Sequence, residues 1–382
     1  MKDSVAIVGV GETPPVRRSP KDIRTLVIEA ILDALSDCGI APQEVDGIVT
    51  EGVIMPNLVP HDYVAEQLGI FRYFDAATSG GAAGTVFGTQ LAQMAIKSGM
   101  AKVVISYFGV DWGSNPRGPY GFHEIYPAKS VFERPYGFYG QPTYYALLAH
   151  RCIHEYGLTT DQLASLAIAQ REHAILNGKA QTREPLTLED YYRSPLVADP
   201  LRVPDCCLIT DGAGAFVMTS AERARDCPHP AVHVMGAGYA AGAISADAVF
   251  TQSPEMLIIP GAAEASMRAR KMAGISLQDI DFAEIYDCFT ISCLLQIEDL
   301  GFCRKGEGGP FIEGGNTKLK GKIPINTHGG LLSYSYRLGI EHVIEAVRQL
   351  RGQAGAAQVD NAQTGLVGGY FPPEYGVLIL CS

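Results

Sequence analysis

Gly39-Ile40-Ala41-Pro42-Gln43-Glu44-Val45-Asp46 returns later in the chain as Gly274-Ile275-Ser276-Leu277-Gln278-Asp279-Ile280-Asp281. Four of the eight positions are identical, one exchanges acid for acid, and one exchanges valine for isoleucine. At the same offset Glu29-Ala30 pairs with Glu264-Ala265 in the segment before each copy. This is the mark of an internal duplication. Around the first copy, apolar residues at helical spacing (Leu26, Ile28, Ile31, Leu32, Leu35) predict a helix over Asp22 to Cys38. Gly39 stops it, and Asp46-Gly47-Ile48-Val49-Thr50 reads as a strand.

Outward from there, Val5 to Val10 is a strand, Tyr63 to Leu68 a short helix and Tyr73 to Ala77 another strand. Ser79-Gly80-Gly81-Ala82-Ala83-Gly84 opens a long helix that ends near Gly99, and Lys102 to Tyr107 is the next strand. Strands alternating with helices predict a layered α/β protein with a parallel sheet. The second copy starts with the strand Ala231 to Met235. Three regions follow: 1–110 as the first half, 111–226 as an insertion carrying the end of that half, and 227–382 as the second half. The insertion is rich in proline, glycine and aromatics, among them Trp112, Tyr120, Phe122, Tyr126, Tyr136, Phe138, Tyr139, Tyr144 and Tyr145. It holds one good helix, Thr160 to Asn177, opened by an N-cap threonine. Such an insertion covers a site or a dimer surface, and its aromatics either line an apolar substrate pocket or pack as loop.

Composition narrows the classes. The formal charge of −11, with no basic run, argues against a nucleic-acid partner. No apolar stretch is long enough for a membrane span, and with no targeting signal at either end a cytoplasmic protein is expected. The nine cysteines lack metal-like spacing and read as reduced, mostly buried thiols. His150 and His154 share a helix face without a third ligand, so no metal is expected in this chain.

Asn326-Thr327-His328-Gly329-Gly330-Leu331-Leu332-Ser333-Tyr334-Ser335-Tyr336-Arg337-Leu338-Gly339 lies between the apolar Ile323-Pro324-Ile325 and a helical pattern over Ile340 to Leu350. The Gly-Gly pair demands a tight turn, and taken locally the two tyrosines read as surface residues of a strand-to-helix loop. His328, a lone histidine in that turn, reads as a structural residue bonded to backbone.

The chain resembles the thiolase superfamily over essentially its whole length, especially the sterol-carrier-protein-type branch. Ala77-Thr78-Ser79-Gly80-Gly81-Ala82-Ala83 is similar to the family's Cys-Ala-Ser-Gly-Gly-Ala-Ala, and Thr210-Asp211-Gly212-Ala213-Gly214-Ala215 to its Asp-Gly-Ala-Ala-Ala strand. Glu284-Ile285-Tyr286-Asp287-Cys288-Phe289 resembles the branch's His-Asp-Cys-Phe segment. Gly329 to Gly339 resembles Gly-Gly-Leu-Ile-Ser-x-Gly-His-Pro-Leu-Gly, and Leu366-Val367-Gly368-Gly369 falls at Cys-x-Gly-Gly. The resemblance implies a thiolase fold, a duplicated α-β-α-β-α core. It also implies a CoA-thioester substrate and a homodimer formed through the strand after Ser79.

The departures carry the chemistry. Ala77 stands at the nucleophilic cysteine, Leu366 at the acid/base cysteine, and Tyr286 and Tyr336 at the two histidines. Thiolysis needs a thiolate and bases near neutral pKa, which alanine and leucine cannot supply. Cys288 belongs to the shared Asp-Cys-Phe segment and reads as a packed helix-entry residue. A phenol, with a reference pKa of about 10, suits a retro-aldol step instead. One tyrosinate removes a β-hydroxyl proton, the Cα–Cβ bond breaks, and the second tyrosine protonates the enolate. No lysine falls in a matched motif for a Schiff base, and no ligand set for a metal aldolase is visible.

The same double replacement occurs in thiolase-like steroid side-chain aldolases. That resemblance implies Tyr286 as base, Tyr336 as acid, and backbone N–H groups around Ala77 and Gly368 as the oxyanion site. It further implies a small zinc-ribbon/OB-fold partner of the DUF35 type. His328 and Asn326 are secondary candidates, with Cys288 beside them. The competing expectations are an acyltransferase with another nucleophile, such as Cys288, and a non-catalytic subunit.

Overall fold

The structure is a computed structural model that describes residues 5–51, 59–116, 118, 129–138, 140–246 and 248–382. Tyr120, Phe122, Tyr126 and Tyr139 of the aromatic insertion lie outside the described residues. The first half comprises β1 (Val5–Glu12), α1 (Ile23–Cys38), β2 (Gly47–Glu51), α2 (His61–Leu68), β3 (Phe74–Thr78), α3 (Gly81–Lys97) and β4 (Val103–Asp111). The insertion supplies α4 (Gln141–Tyr156), α5 (Thr160–Asn177), α6 (Leu188–Arg193) and the hairpin of β5 (Leu196–Ala198) with β6 (Leu201–Arg202). Thus α4 joins the one long helix expected there. β7 (Asp211–Ser220) and α7 (Ala221–Ala224) then close the first half. The second half runs β8 (Val232–Ala241), α8 (Ala262–Ala273), β9 (Phe282–Ile285), α9 (Thr290–Asp299), α10 (Gly308–Glu313), α11 (Ile340–Leu350), β10 (Thr364–Phe371) and β11 (Glu374–Cys381).

Nine strands lie in the order β3-β2-β4-β7-β1-β8-β11-β10-β9. Read outward from the β1–β8 seam, the two sides repeat each other. β1·β7 and β7·β4 are antiparallel and β4·β2 parallel. Likewise β8·β11 and β11·β10 are antiparallel and β10·β9 parallel. The expected parallel sheet is therefore a mixed one, because β7 returns from the insertion and β11 from a hairpin. β3 pairs in parallel with β2, and its place in the second half is taken by a single parallel bridge from Ile325 to Ala283.

The duplicated octapeptide has a physical reason. α1 and α8 each end in a left-handed glycine, Gly39 at φ 68° and Gly274 at φ 69°. A 3-10 turn follows in each copy, Pro42–Glu44 and Leu277–Asp279. The final aspartate then accepts two N–H groups where the neighbouring strand begins: Asp46 from Lys102 and Val103, Asp281 from Gln363 and Thr364. The helices lie close on their strands. A Cβ at Gly11 would stand 2.4 Å from the Ala30 carbonyl oxygen, and one at Gly238 2.1 Å from that of Ala265.

α1 and α8 form the outer layers, while α3 and α11 each touch strands of both halves and occupy the middle. The result is the α-β-α-β-α arrangement. α11 is almost entirely buried, and each buried Val, Ile or Leu on it contributes ~1.5–3 kcal/mol. The strand after Ser79, expected to join two copies, is β4, which lies between β2 and β7. Both its edges are taken. The free edge belongs to β3, which precedes Ser79.

Candidate active site

Tyr286 stands where β9 ends and the chain turns toward α9. Its N–H donates to the Gly368 carbonyl at 3.1 Å, and its carbonyl accepts from Gln296 Nε2. One residue earlier, the Asn326 side chain brackets Ile285, accepting from its N–H at 2.6 Å and donating to its carbonyl at 2.8 Å. Asn326 adopts φ 53°, a conformation asparagine tolerates better than most residues. Its side chain is committed to fixing β9, with Tyr286 carried just beyond.

Tyr336 follows a five-residue turn, Gly330–Tyr334, that unwinds into extended chain at Ser335. Its N–H donates to Thr210 Oγ1 at 3.0 Å, and Thr210 donates in turn to Gln181 Oε1 at 2.9 Å. Tyr334 is fully buried and Tyr336 partly so, which overturns their local reading as surface residues. Tyr334 donates to Glu12 Oε1, and Glu12 also binds Arg337 and Arg348. An N-terminal strand end thus anchors the C-terminal turn.

These two supports bring the phenols together, Tyr286 Oη to Tyr336 Oη at 2.6 Å. Trp112 lies 4.6 Å from Tyr336 and Tyr370 6.4 Å from Tyr286, ring centre to ring centre. Both tyrosines line a cavity of about 270 Å³ whose wall also includes Trp112, Tyr145, Phe250, Phe289 and Tyr370. Trp112 and Tyr145 come from the insertion, so its aromatics do line an apolar pocket. Burial pushes both phenols well above the ordinary tyrosine range; a charge on Tyr336 adds to the cost at Tyr286, whereas the hydrogen bond from Tyr286 eases it at Tyr336.

Cys288 also lines the cavity, with its thiol 3.5 Å from Ser292 Oγ. Burial pushes that thiol up to about 12, so it is protonated at neutral pH. Ala77 and Gly368 are not part of the cavity wall. Ala77 is exposed on β3, and Gly368 is buried in β10. Phe371 borders both regions: a Cβ at Gly80 would meet its ring at 3.3 Å, and the same ring lines the cavity.

His328 departs from expectation. It bonds no backbone; its Nδ1 lies 3.0 Å from Glu284 Oε2 and its ring 5.3 Å from that of His342. Burial opposes its charge, yet the Glu284 carboxylate outweighs this and holds it up at about 9. His342 is driven well below the ordinary range, by burial and then by His328. Asp287 is raised by burial to about 7. Glu284, Asp287 and His342 escaped the sequence reading. The available signal was that two of them flank Tyr286.

Comparison with known proteins agrees with this geometry. Residues 242–371 match the family described as thiolase C-terminal domain-like. The chain is 34% identical to a steroid side-chain-cleaving aldolase of Thermomonospora curvata, over 98% of this chain and 97% of that protein. It is 36% identical to a 17-hydroxy-3-oxo-4-pregnene-20-carboxyl-CoA lyase of Mycobacterium tuberculosis, over 92% of each. Among solved structures, the Ltp2-ChsH2(DUF35) aldolase superposes with a TM-score of 0.92 at 33% identity, covering 100% of this chain and 98% of that one. With its duplicated core, and with tyrosines where thiolysis needs histidines, the chain belongs to the thiolase-fold aldolases, carbon–carbon lyases of the thiolase superfamily.

Proposed function

We propose that this chain cleaves a bulky, ring-bearing β-hydroxyacyl-CoA to a carbonyl compound and a shorter acyl-CoA. The observation that carries the reading is the Tyr286–Tyr336 pair, 2.6 Å apart in an aromatic cavity. Tyr286, as tyrosinate, takes the β-hydroxyl proton. The O–H electrons form the new C=O, and the Cα–Cβ pair moves into the thioester as an enolate. Tyr336 delivers its proton to Cα. The proton gained by Tyr286 then crosses the shared hydrogen bond to Tyr336, which resets the pair without a covalent intermediate. The name of the M. tuberculosis relative describes a hydroxyl on ring carbon 17 and a CoA-bound carboxyl on carbon 20, a substrate of this class.

Backbone N–H groups at Ala77 and Gly368 are the proposed donors to the enolate oxygen. The Phe371 ring packs on Gly80 and Gly81, just after Ala77, and Phe371 also lines the cavity. A DUF35-type partner is proposed from the Ltp2-ChsH2(DUF35) assembly. Homodimerisation is proposed through the open edge of β3, beside which Phe71 and Tyr73 are 73% and 71% exposed. Among the described residues no helix is long and apolar enough to cross a membrane.

The test offers the chain, co-purified with a DUF35-type protein, a β-hydroxyacyl-CoA bearing a ring-borne tertiary alcohol. Carbonyl release without consumption of free CoA supports the reading. Cleavage of a β-ketoacyl-CoA with free CoA, and of nothing else, transfers it to an acyltransferase. The protonated Cys288 thiol weighs against that outcome. Because the base must be ionised and its pKa lies above 10, kcat/KM should climb with pH, close to tenfold per unit from pH 7 to 9. A flat profile would remove tyrosine as base.

A further inference from the structure

Behind the tyrosines lies a buried cluster that the aldol step does not use. Glu284 on β9, His328 in the Gly-Gly turn and His342 on α11 each expose no more than 1% of their surface. Their donor atoms lie within 4.8 Å of one another. Glu284 Oε1 is occupied by the Thr327 N–H and hydroxyl at 3.0 and 2.6 Å. Its other oxygen has no hydrogen-bond donor, and neither do the ring nitrogens of His328 and His342 have partners. That unbonded oxygen stands 3.0 Å from His328 Nδ1 and 3.9 Å from His342 Nδ1.

Each buried polar atom left unpaired costs ~1–3 kcal/mol, so five in one place call for a common partner. A His328–Glu284 ion pair would satisfy two of them and leave three, His328 Nε2 and both His342 nitrogens, without partners. A single cation among the three side chains would engage one atom of each. Four-coordinate zinc with bonds of about 2.0 Å sets its ligands roughly 3.3 Å apart, which the observed 3.0 and 3.9 Å bracket. Two imidazoles and a carboxylate suit zinc over magnesium or calcium. The outer nitrogen of His342 has a carboxylate within reach, Asp287 Oδ1 at 3.7 Å. Metal-bound imidazoles are normally oriented by such a group.

We propose that Glu284, His328 and His342 form a zinc site, beneath the floor of the active site, that ties β9, the Gly-Gly turn and α11 together. Glu284 is two residues from Tyr286, so the ion would position that tyrosine without touching substrate.

The experiment uses the full chain purified without a partner, so that no zinc ribbon contributes to the count. It is stripped with a chelator, titrated with zinc and assayed by mass-spectrometric metal analysis, with thermal melting alongside. One zinc per chain is expected, with a higher melting temperature on loading. Glu284→Gln and His342→Gln each remove a direct ligand and should weaken binding by more than the roughly 10–100-fold that loss of an outer-shell group costs. Should either variant fail to fold, cobalt substitution of the wild-type chain decides. A visible spectrum of four-coordinate cobalt with imidazole ligands supports the site. Failure of the wild-type chain to take up zinc or cobalt overturns it, as does equal uptake by folded variants.

Discussion

Two Gly-Gly turns occupy matching places in the two halves. Ser79-Gly80-Gly81 follows β3, which pairs in parallel with β2; His328-Gly329-Gly330 follows Ile325, which bridges in parallel to β9. Both use a left-handed glycine, Gly81 at φ 71° and Gly330 at φ 61°. Beyond that they differ. The first passes straight into α3, with Ala77 exposed before it and none of residues 77–81 in the cavity wall. The second inserts a five-residue turn, buries a histidine against a carboxylate, and delivers Tyr336 before α11 begins. The lesson is that a duplicated scaffold fixes where the chain turns, while the chemistry depends on what one copy adds to the turn.

The sharpest way to break this contrast is at the phenols. Tyr286→Phe or Tyr336→Phe should lower kcat by ~10²–10⁴-fold with little change in thermal stability. Loss of less than fivefold at both positions would make the C-terminal turn as silent as the N-terminal one.

Next comes the anchor between the halves. Glu12→Gln strands the buried Arg337 and the partly buried Arg348 and should cost about 3 kcal/mol in urea unfolding. Burial raises the Glu12 pKa, but Arg348, Arg337 and Tyr334 together hold it well below the ordinary range. Its contribution is therefore complete above the unfolded value near 4.3 and fades as pH falls toward the folded value. Wild type should lose more stability than the variant between pH 5 and 3; parallel curves would remove Glu12 as the anchor.

The glycines sharpen the comparison further. An added methyl at Gly330 would stand 2.0 Å from Asp287 Oδ2, whereas one at Gly81 would meet the Phe371 ring at 2.8 Å. Gly330→Ala should cost about 3 kcal/mol or more and Gly81→Ala about 2, since a ring can shift where a confined carboxylate cannot. Equal losses would mean the two turns are equally constrained. The smallest effect is expected at Ala77→Ser, within ~0.5 kcal/mol and about twofold in rate.

The sequence showed the duplication plainly because its signal is local: a helix stop, a 3-10 turn and an aspartate that caps the adjoining strand. It located Tyr286 and Tyr336 through motif replacement, and the structure brings their hydroxyls together. It misjudged His328, since the partner Glu284 is 44 positions earlier and only the pairing of Ile325 with Ala283 brings them close. The mixed sheet was equally invisible, because strand direction depends on how β7 re-enters after the insertion. The strand after Ser79, expected to join two copies, lies inside the sheet as β4, a position that strand order alone decides and no local stretch spells out.

Trp112 is the only tryptophan in the sequence, and its ring lies 4.6 Å from that of Tyr336. Its fluorescence therefore comes from a single place, the wall of the reaction cavity. Excitation of the indole follows filling and emptying of that space with no label attached. Ionisation of the neighbouring phenol should quench it, so that the same optical signal times both substrate arrival and proton movement in a stopped-flow mixer.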